Sequence, residues 1–300
     1  MTDRPAPPSA LTNFAMLFAL WVIWGVSWPG MRVVFMEVPV WQFRAVTSLI
    51  GGAVLVAMAV WSPGGWRVAR PLWPSLVLAS LFNIIVWNAF IGYGLALIGA
   101  GHGAILCYTM PVWTAILSAI VLHEPMTRRK VIALLLGIAG VFILVLANLG
   151  MLGGSPLGVG LMFGSAVSWA IGTIVVKRVS WSASMSALAG WQLLLGAPVF
   201  VVLSLLFEDF TMHQMSNQAL AGSLYTLIGG MIGGYFLWFR IVDRMPASIA
   251  AIGTLMVPVV GVISGAVVLG EALGWREAVA LVLVLAAIGL VVFAPRKPPA

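Results

Sequence analysis

Three polar or aromatic side chains fall within six residues in the middle of an apolar run: Asn83, Trp87 and Asn88, in "LFNIIVWNAF". A carboxamide both donates and accepts, so it can meet a carboxylate or an ammonium group. An indole offers a flat stacking face. At helical spacing Asn83 and Trp87 share a face. The plainer reading of such an amide is a hydrogen bond that joins two helices. Trp24 and Trp169 lie near the middle of two other apolar runs, too deep for the interfacial belt that holds most membrane tryptophans. Trp41, Trp61, Trp66, Trp73, Trp181 and Trp275 have belt positions. Tyr108 and Tyr235 add a ring and a hydroxyl that needs a partner when buried. Arg44 could attract a carboxylate or extend to headgroups. Gln192 occupies the related region of the second half, and His102, between two glycines, could titrate near neutral pH.

No set of these residues makes an enzyme. The eight acidic residues fall in tails, loops or the ends of apolar runs. No His/Cys cluster suits a metal, and no nucleophile sits beside a base. No metal and no cofactor is expected. A channel would show charged rings or a filter loop, and neither is present.

The elements that must position these residues follow from composition. Of 300 residues 62% are hydrophobic and 8% charged, against about 25% charged in a soluble domain. The chain is an all-α integral membrane protein, with the lipid bilayer as its main partner. One cysteine, Cys107, excludes an internal disulfide. The pI of 10.3 reflects basic residues between apolar runs, which speaks for membrane topology and not for nucleic acid. No obligatory protein partner is evident.

Ten runs lie near 12–34, 41–61, 73–97, 101–122, 130–149, 157–179, 185–207, 218–241, 247–269 and 276–294. Each can cross a hydrocarbon core of about 30 Å as a helix. Residues 1–11 read as a disordered tail and 295–300 as a second tail. With the N-terminus inside, twelve Lys and Arg fall on the inner side and two on the outer. This bias predicts that both termini are cytoplasmic.

The two halves repeat. "PVWTAILSAIVLHEP" starts at Pro111 and "PVVGVISGAVVLGEA" at Pro258, 147 positions later. Each runs thirteen positions from proline to glutamate, Glu124 and Glu271, with an arginine five further on. Trp24 precedes Arg32 by eight, as Trp169 precedes Lys177. The first five helices span 12–149, a linker 150–156, and the second five 157–294. An odd number of helices inverts the second copy across the bilayer. Inverted repeats around a central cavity are a transporter architecture. Pro111 and Pro258 interrupt corresponding helices and are candidate hinges. Glu124 and Glu271 are candidate gates at helix junctions. The pairs in "GGMIGG" (Gly229–Gly234) admit a close helix neighbour.

On "WGVSWPGMR" (Trp24–Arg32) and the two proline-to-glutamate segments with the helices that follow them, the chain resembles the drug/metabolite transporter superfamily, in its EamA branch of ten-helix exporters. Within the branch it looks most like the YddG-type exporters of aromatic amino acids. Ala170 departs from the pattern, which has glycine there. The resemblance implies export by alternating access, with a small-molecule substrate bound between the repeats. Trp24, Asn83, Trp87, Tyr108, Trp169 and Tyr235 are the expected binding set, and aromatic or bulky aliphatic amino acids the expected substrates. The alternative is a multidrug or organic-cation exporter. The small members of the superfamily use a deep glutamate for that, and none exists here.

Overall fold

The computed structural model describes residues 10–98, 106–146, 155–209, 215–269 and 274–292. Apolar side chains in lipid give no reason to leave the helix, and every buried backbone group needs a partner, so the apolar runs are helical. Ten helices result. They are α1 (Ala10–Phe35), α2 (Val40–Ala59), α3 (73–98), α4 (ending with Met110–Val121), α5 (Arg128–Leu146), α6 (Pro156–Arg178), α7 (Met185–Phe207), α8 (217–244), α9 (247–269) and α10 (Trp275–Val292). Among the described residues five stretches are long and apolar enough to cross a membrane: Val40–Ala59, Arg70–Gly94, Pro156–Arg178, Met185–Phe207 and Asn217–Arg244. Met110–Val121 and Ala247–Gly261 are shorter apolar helical stretches.

The packing obeys the repeat. Extensive contacts join α2 to α7 and α5 to α10, each a helix against its own repeat partner. Elsewhere α3 packs on α6 as α8 packs on α1, and α4 on α6 as α9 on α1. Glycine sets the closest approach. A Cβ at Gly190 would come within 2.7 Å of the Gly52 carbonyl oxygen, and one at Gly52 within 2.9 Å of the Gly190 oxygen. Small residues are the general means of bringing helix backbones together in lipid.

Two irregularities also repeat. Helix α3 is π-helical over Leu81–Val86, and α8 over Thr226–Gly234. A π turn leaves a carbonyl without its usual partner, and such turns favour functional positions. Here side chains from the neighbouring helix take up the carbonyls. Ser168 Oγ donates to Phe82 O at 2.6 Å, and Trp24 Nε1 to Gly230 O at 3.2 Å. Helices α4 and α9 break at Tyr108–Thr109 and at Thr254–Leu255. Pro111 and Pro258 therefore sit in the first turn after a break, where a missing N–H removes no bond. The carbonyl freed at Gly253 accepts from Trp21 Nε1 at 2.7 Å.

Candidate functional site

Between the halves lies a cavity of about 470 Å³. One wall is a stripe of α1, where Trp24, Ser27, Met31 and Phe35 recur at helical spacing. Trp87, Asn88 and Ile91 come from α3, Trp169 from α6, and Thr226, Gly230, Met231 and Tyr235 from α8. Tyr108 and Thr254 enter from the breaks in α4 and α9. Broken helices commonly build transporter sites in this way, because they bring backbone ends to the midplane.

The cavity floor is aromatic. Trp24 meets its repeat partner Trp169 edge to face, centroids 6.0 Å apart at 78°. Trp87 lies 4.7 Å from Trp169. Tyr235 is 6.3 Å from Trp24 and 6.2 Å from Trp169. Beneath them Trp238, 2% exposed, supports both indoles at 6.0 and 5.7 Å. Gly234 makes room for this cluster, since a Cβ there would collide with the Trp24 indole. The two repeat-related indoles differ in hydrogen bonding. Trp24 donates to Gly230 O, whereas Trp169 Nε1 is buried without an acceptor.

The structure brings Trp24, Trp87, Tyr108, Trp169 and Tyr235 to one cavity, with Arg44 and Asn88 on its wall. Asn83 stands apart. It is 1% exposed, and its Nδ2 donates to Gln192 Oε1 at 3.0 Å. Gln192 is fully buried and itself donates to Leu188 O. These two amides join α3 to α7 away from the cavity. The four-residue spacing from Asn83 to Trp87 crosses the π stretch, which changes the angular step, so the two side chains part. Asn88 Nδ2 donates to Ile84 O at 2.7 Å. His102 and Glu271 lie outside the described residues. Sequence reading missed Trp238, Thr226, Met31 and Phe35. For the last two a signal was present in the helical period from Trp24. Trp41, read as a belt residue, is 5% exposed and stacks on Phe200 at 6.1 Å and 15°.

The cavity extends toward the end of the bundle that carries Met36, Val40 and Arg44. The opposite end is shut. Helix α4 finishes with His123 in the left-handed region, φ 54°. Glu124 N then donates back to Ser118 O at 3.1 Å, a Schellman-type cap. That turn aims Glu124 across the halves at the N-terminus of α9. Its carboxylate accepts from Ala247 N at 2.7 Å, Ser248 N at 3.3 Å and Ser248 Oγ at 2.5 Å. Lys130 Nζ lies 3.5 Å away, with both side chains almost buried. A carboxylate suits the unpaired amides and positive dipole of a helix start. Lys177 Nζ donates at the same end to Val242 O at 2.6 Å and Asp243 O at 3.0 Å, the last turn of α8.

Comparison with known proteins agrees with this geometry. A model of the EamA-like transporter family matches residues 12–146 and again 156–293. An uncharacterized transporter of Bacillus subtilis, YvbV, is 30% identical over 283 residues, covering 93% of this chain and 92% of that protein. A probable amino-acid metabolite efflux pump of Salmonella typhimurium is 27% identical over 286 residues, covering 91% and 92%. A solved crystal structure superposes with a TM-score of 0.80 at 21% identity, over 94% of this chain and 96% of that one. That last likeness speaks to the fold. The twofold family match falls on the two halves that the packing relates, and it covers most of the chain: this protein belongs to the EamA-like transporter family and is a multi-pass membrane transporter, not an enzyme.

Proposed function

We propose that the protein exports small amphiphilic metabolites, foremost aromatic and other hydrophobic amino acids, by alternating access at the cavity between its repeats. The carrying observation is the aromatic floor, with Trp24, Trp87, Trp169 and Tyr235 around one cavity of about 470 Å³. That volume lies within the roughly 300–1,000 Å³ of small-molecule sites. A wall that is mostly apolar, with a few hydroxyls, one amide and one guanidinium, suits a large apolar side chain with a compact polar end. It does not suit a sugar, which needs many polar contacts. The name of the Salmonella relative, an amino-acid metabolite efflux pump, supports the same class.

The membrane is the inner membrane of a bacterium, as the name of an Escherichia coli relative, the inner membrane transporter YedA, suggests. Both termini face the cytoplasm. The Glu124 end, with Arg128, Arg129 and Lys130, is then the inner end. The cavity faces outward, and Glu124 and Lys177 hold the inner end closed. Pro111 and Pro258 mark the breaks about which the half-helices turn. An exporter of organic cations fits less well, because no carboxylate lines the cavity among the described residues.

The test is counterflow of labelled phenylalanine in proteoliposomes, with and without an imposed pH gradient. Accumulation above protein-free vesicles, inhibited by tryptophan and leucine and not by glucose, is expected. Phenylalanine moving no faster than in empty vesicles would remove the substrate assignment.

A further inference from the structure

Among the described residues Arg44 is the only cation on the cavity wall, and it lacks an ionic partner among them. Its guanidinium carries five N–H donors. Its recorded contacts are weak: Nη2 lies 3.8 Å from Met31 Sδ, and the guanidinium 5.7 Å from the Phe35 ring centroid. Glu208, at the start of the same helix, accepts from Trp41 N at 2.8 Å and Gln42 N at 3.0 Å and makes no ion pair with Arg44. An ionised side chain at membrane depth is costly and ordinarily paired. An arginine left open on a cavity wall fits an anionic ligand, and its planar fork matches a carboxylate.

The charge balance of the wall points the same way, and the spacing from the aromatic floor to Arg44 suits a ligand with a ring and an anionic end. Met31, beside Arg44, is seven residues from Trp24 on α1, about 10 Å along the axis. Among the described residues no Asp or Glu lines the cavity.

Resting on the reading of this cavity as the transport site, we infer that Arg44 is the carboxylate anchor and that the cavity selects ligands for their carboxylate, with the α-ammonium group dispensable. The ring lies in the Trp24–Trp87–Trp169 box and the carboxylate points toward the open end. The substrate class is aromatic carboxylates, amino acids being the members that also carry an ammonium group. Aromatic amines are excluded by the same charge.

Three ligands of one ring separate the charges: phenylacetate, phenylalanine and phenethylamine. Binding to the intact purified protein is read from the ligand concentration that raises its thermal midpoint. Phenylacetate and phenylalanine should bind within a few-fold of each other, and phenethylamine roughly ten-fold or more weaker, the size of one charge-assisted contact. Arg44→Gln should erase that preference and Arg44→Lys keep part of it. Phenethylamine binding as well as phenylacetate overturns the proposal in the wild-type protein alone, whether or not the variants fold. A preference that survives Arg44→Gln overturns Arg44 as its source. If phenylacetate binds through Arg44 while phenylalanine fails to move in proteoliposomes, the carboxylate anchor stands and the amino-acid reading falls. Absence of binding by all three at millimolar concentration overturns both.

Discussion

The two ends of the bundle differ more than the two halves do. At one end a single carboxylate, Glu124, ties the first half to the second through three hydrogen bonds to Ala247 and Ser248. At the other the helix starts are also capped by carboxylates, and the cavity extends between them among the described residues. Glu208 caps α2, and Glu37 accepts from Ser216 N at 2.8 Å and Oγ at 2.7 Å, joining the end of α1 to the start of α8. Both ties join one half to the other, as Glu124 does, but the cavity reaches their end and not the Glu124 end. Two similar, inverted halves thus have unlike ends among the described residues. An asymmetric state is what alternating access requires of a near-symmetric chain. In the alternating access proposed above, the ties at the Glu124 end are the ones that exchange.

The largest expected effect comes from removing the tie. Glu124→Ala leaves the α9 amides and Lys130 without their acceptor, at a cost to the closed end of about 2–4 kcal/mol. The thermal midpoint should fall, and phenylalanine counterflow should drop more than ten-fold, while the order of substrate preference stays. Glu124→Gln, which keeps one acceptor oxygen, should lie between. A changed order of substrates would place Glu124 in the binding site instead.

The floor should respond differently. Trp169→Ala and Trp87→Ala each remove a ring contact of about 0.5–1.5 kcal/mol beyond lost burial. Phenylalanine and tryptophan should bind several-fold more weakly, with the shut end intact. If both variants move these substrates at the unmodified rate, the aromatic floor is not the site.

A smaller effect sharpens the comparison of the two copies. His123 holds φ 54° at the cap that aims Glu124, and the repeat-related position in the sequence is Gly270. Glycine takes this conformation without strain. His123→Gly should therefore raise stability by about 0.5–1 kcal/mol. A fall in the thermal midpoint would show that the His123 side chain contributes more than its backbone costs.

Much of this was legible in the sequence because it depends on local pattern. Long apolar runs specify helices, and the 147-residue recurrence of proline and glutamate specifies the repeat. Deep tryptophans pointed to the floor for the same reason, as depth follows from position in a run. What escaped reading depends on departures from regular helix or on distant partners. The π stretch at Leu81–Val86 separates Asn83 from Trp87, and spacing alone assumed an α-helix throughout. Trp41 sits where belt residues sit, but Gly92 opposite it leaves space for its ring. Glu124 was recognisable as a junction residue. That its partners are Ala247 and Ser248, more than 120 positions away, follows only from the packing of the halves.

The account rests on the Glu124 end opening during transport. Spin labels at Thr127 and Arg244, both exposed at that end and on opposite halves, report its width by pulsed electron resonance in lipid nanodiscs. Without ligand the short distance should dominate. A longer population should appear with saturating phenylalanine and grow further in Glu124→Gln. One unchanged distance under all of these conditions, in labelled protein that still transports, would contradict alternating access at this end.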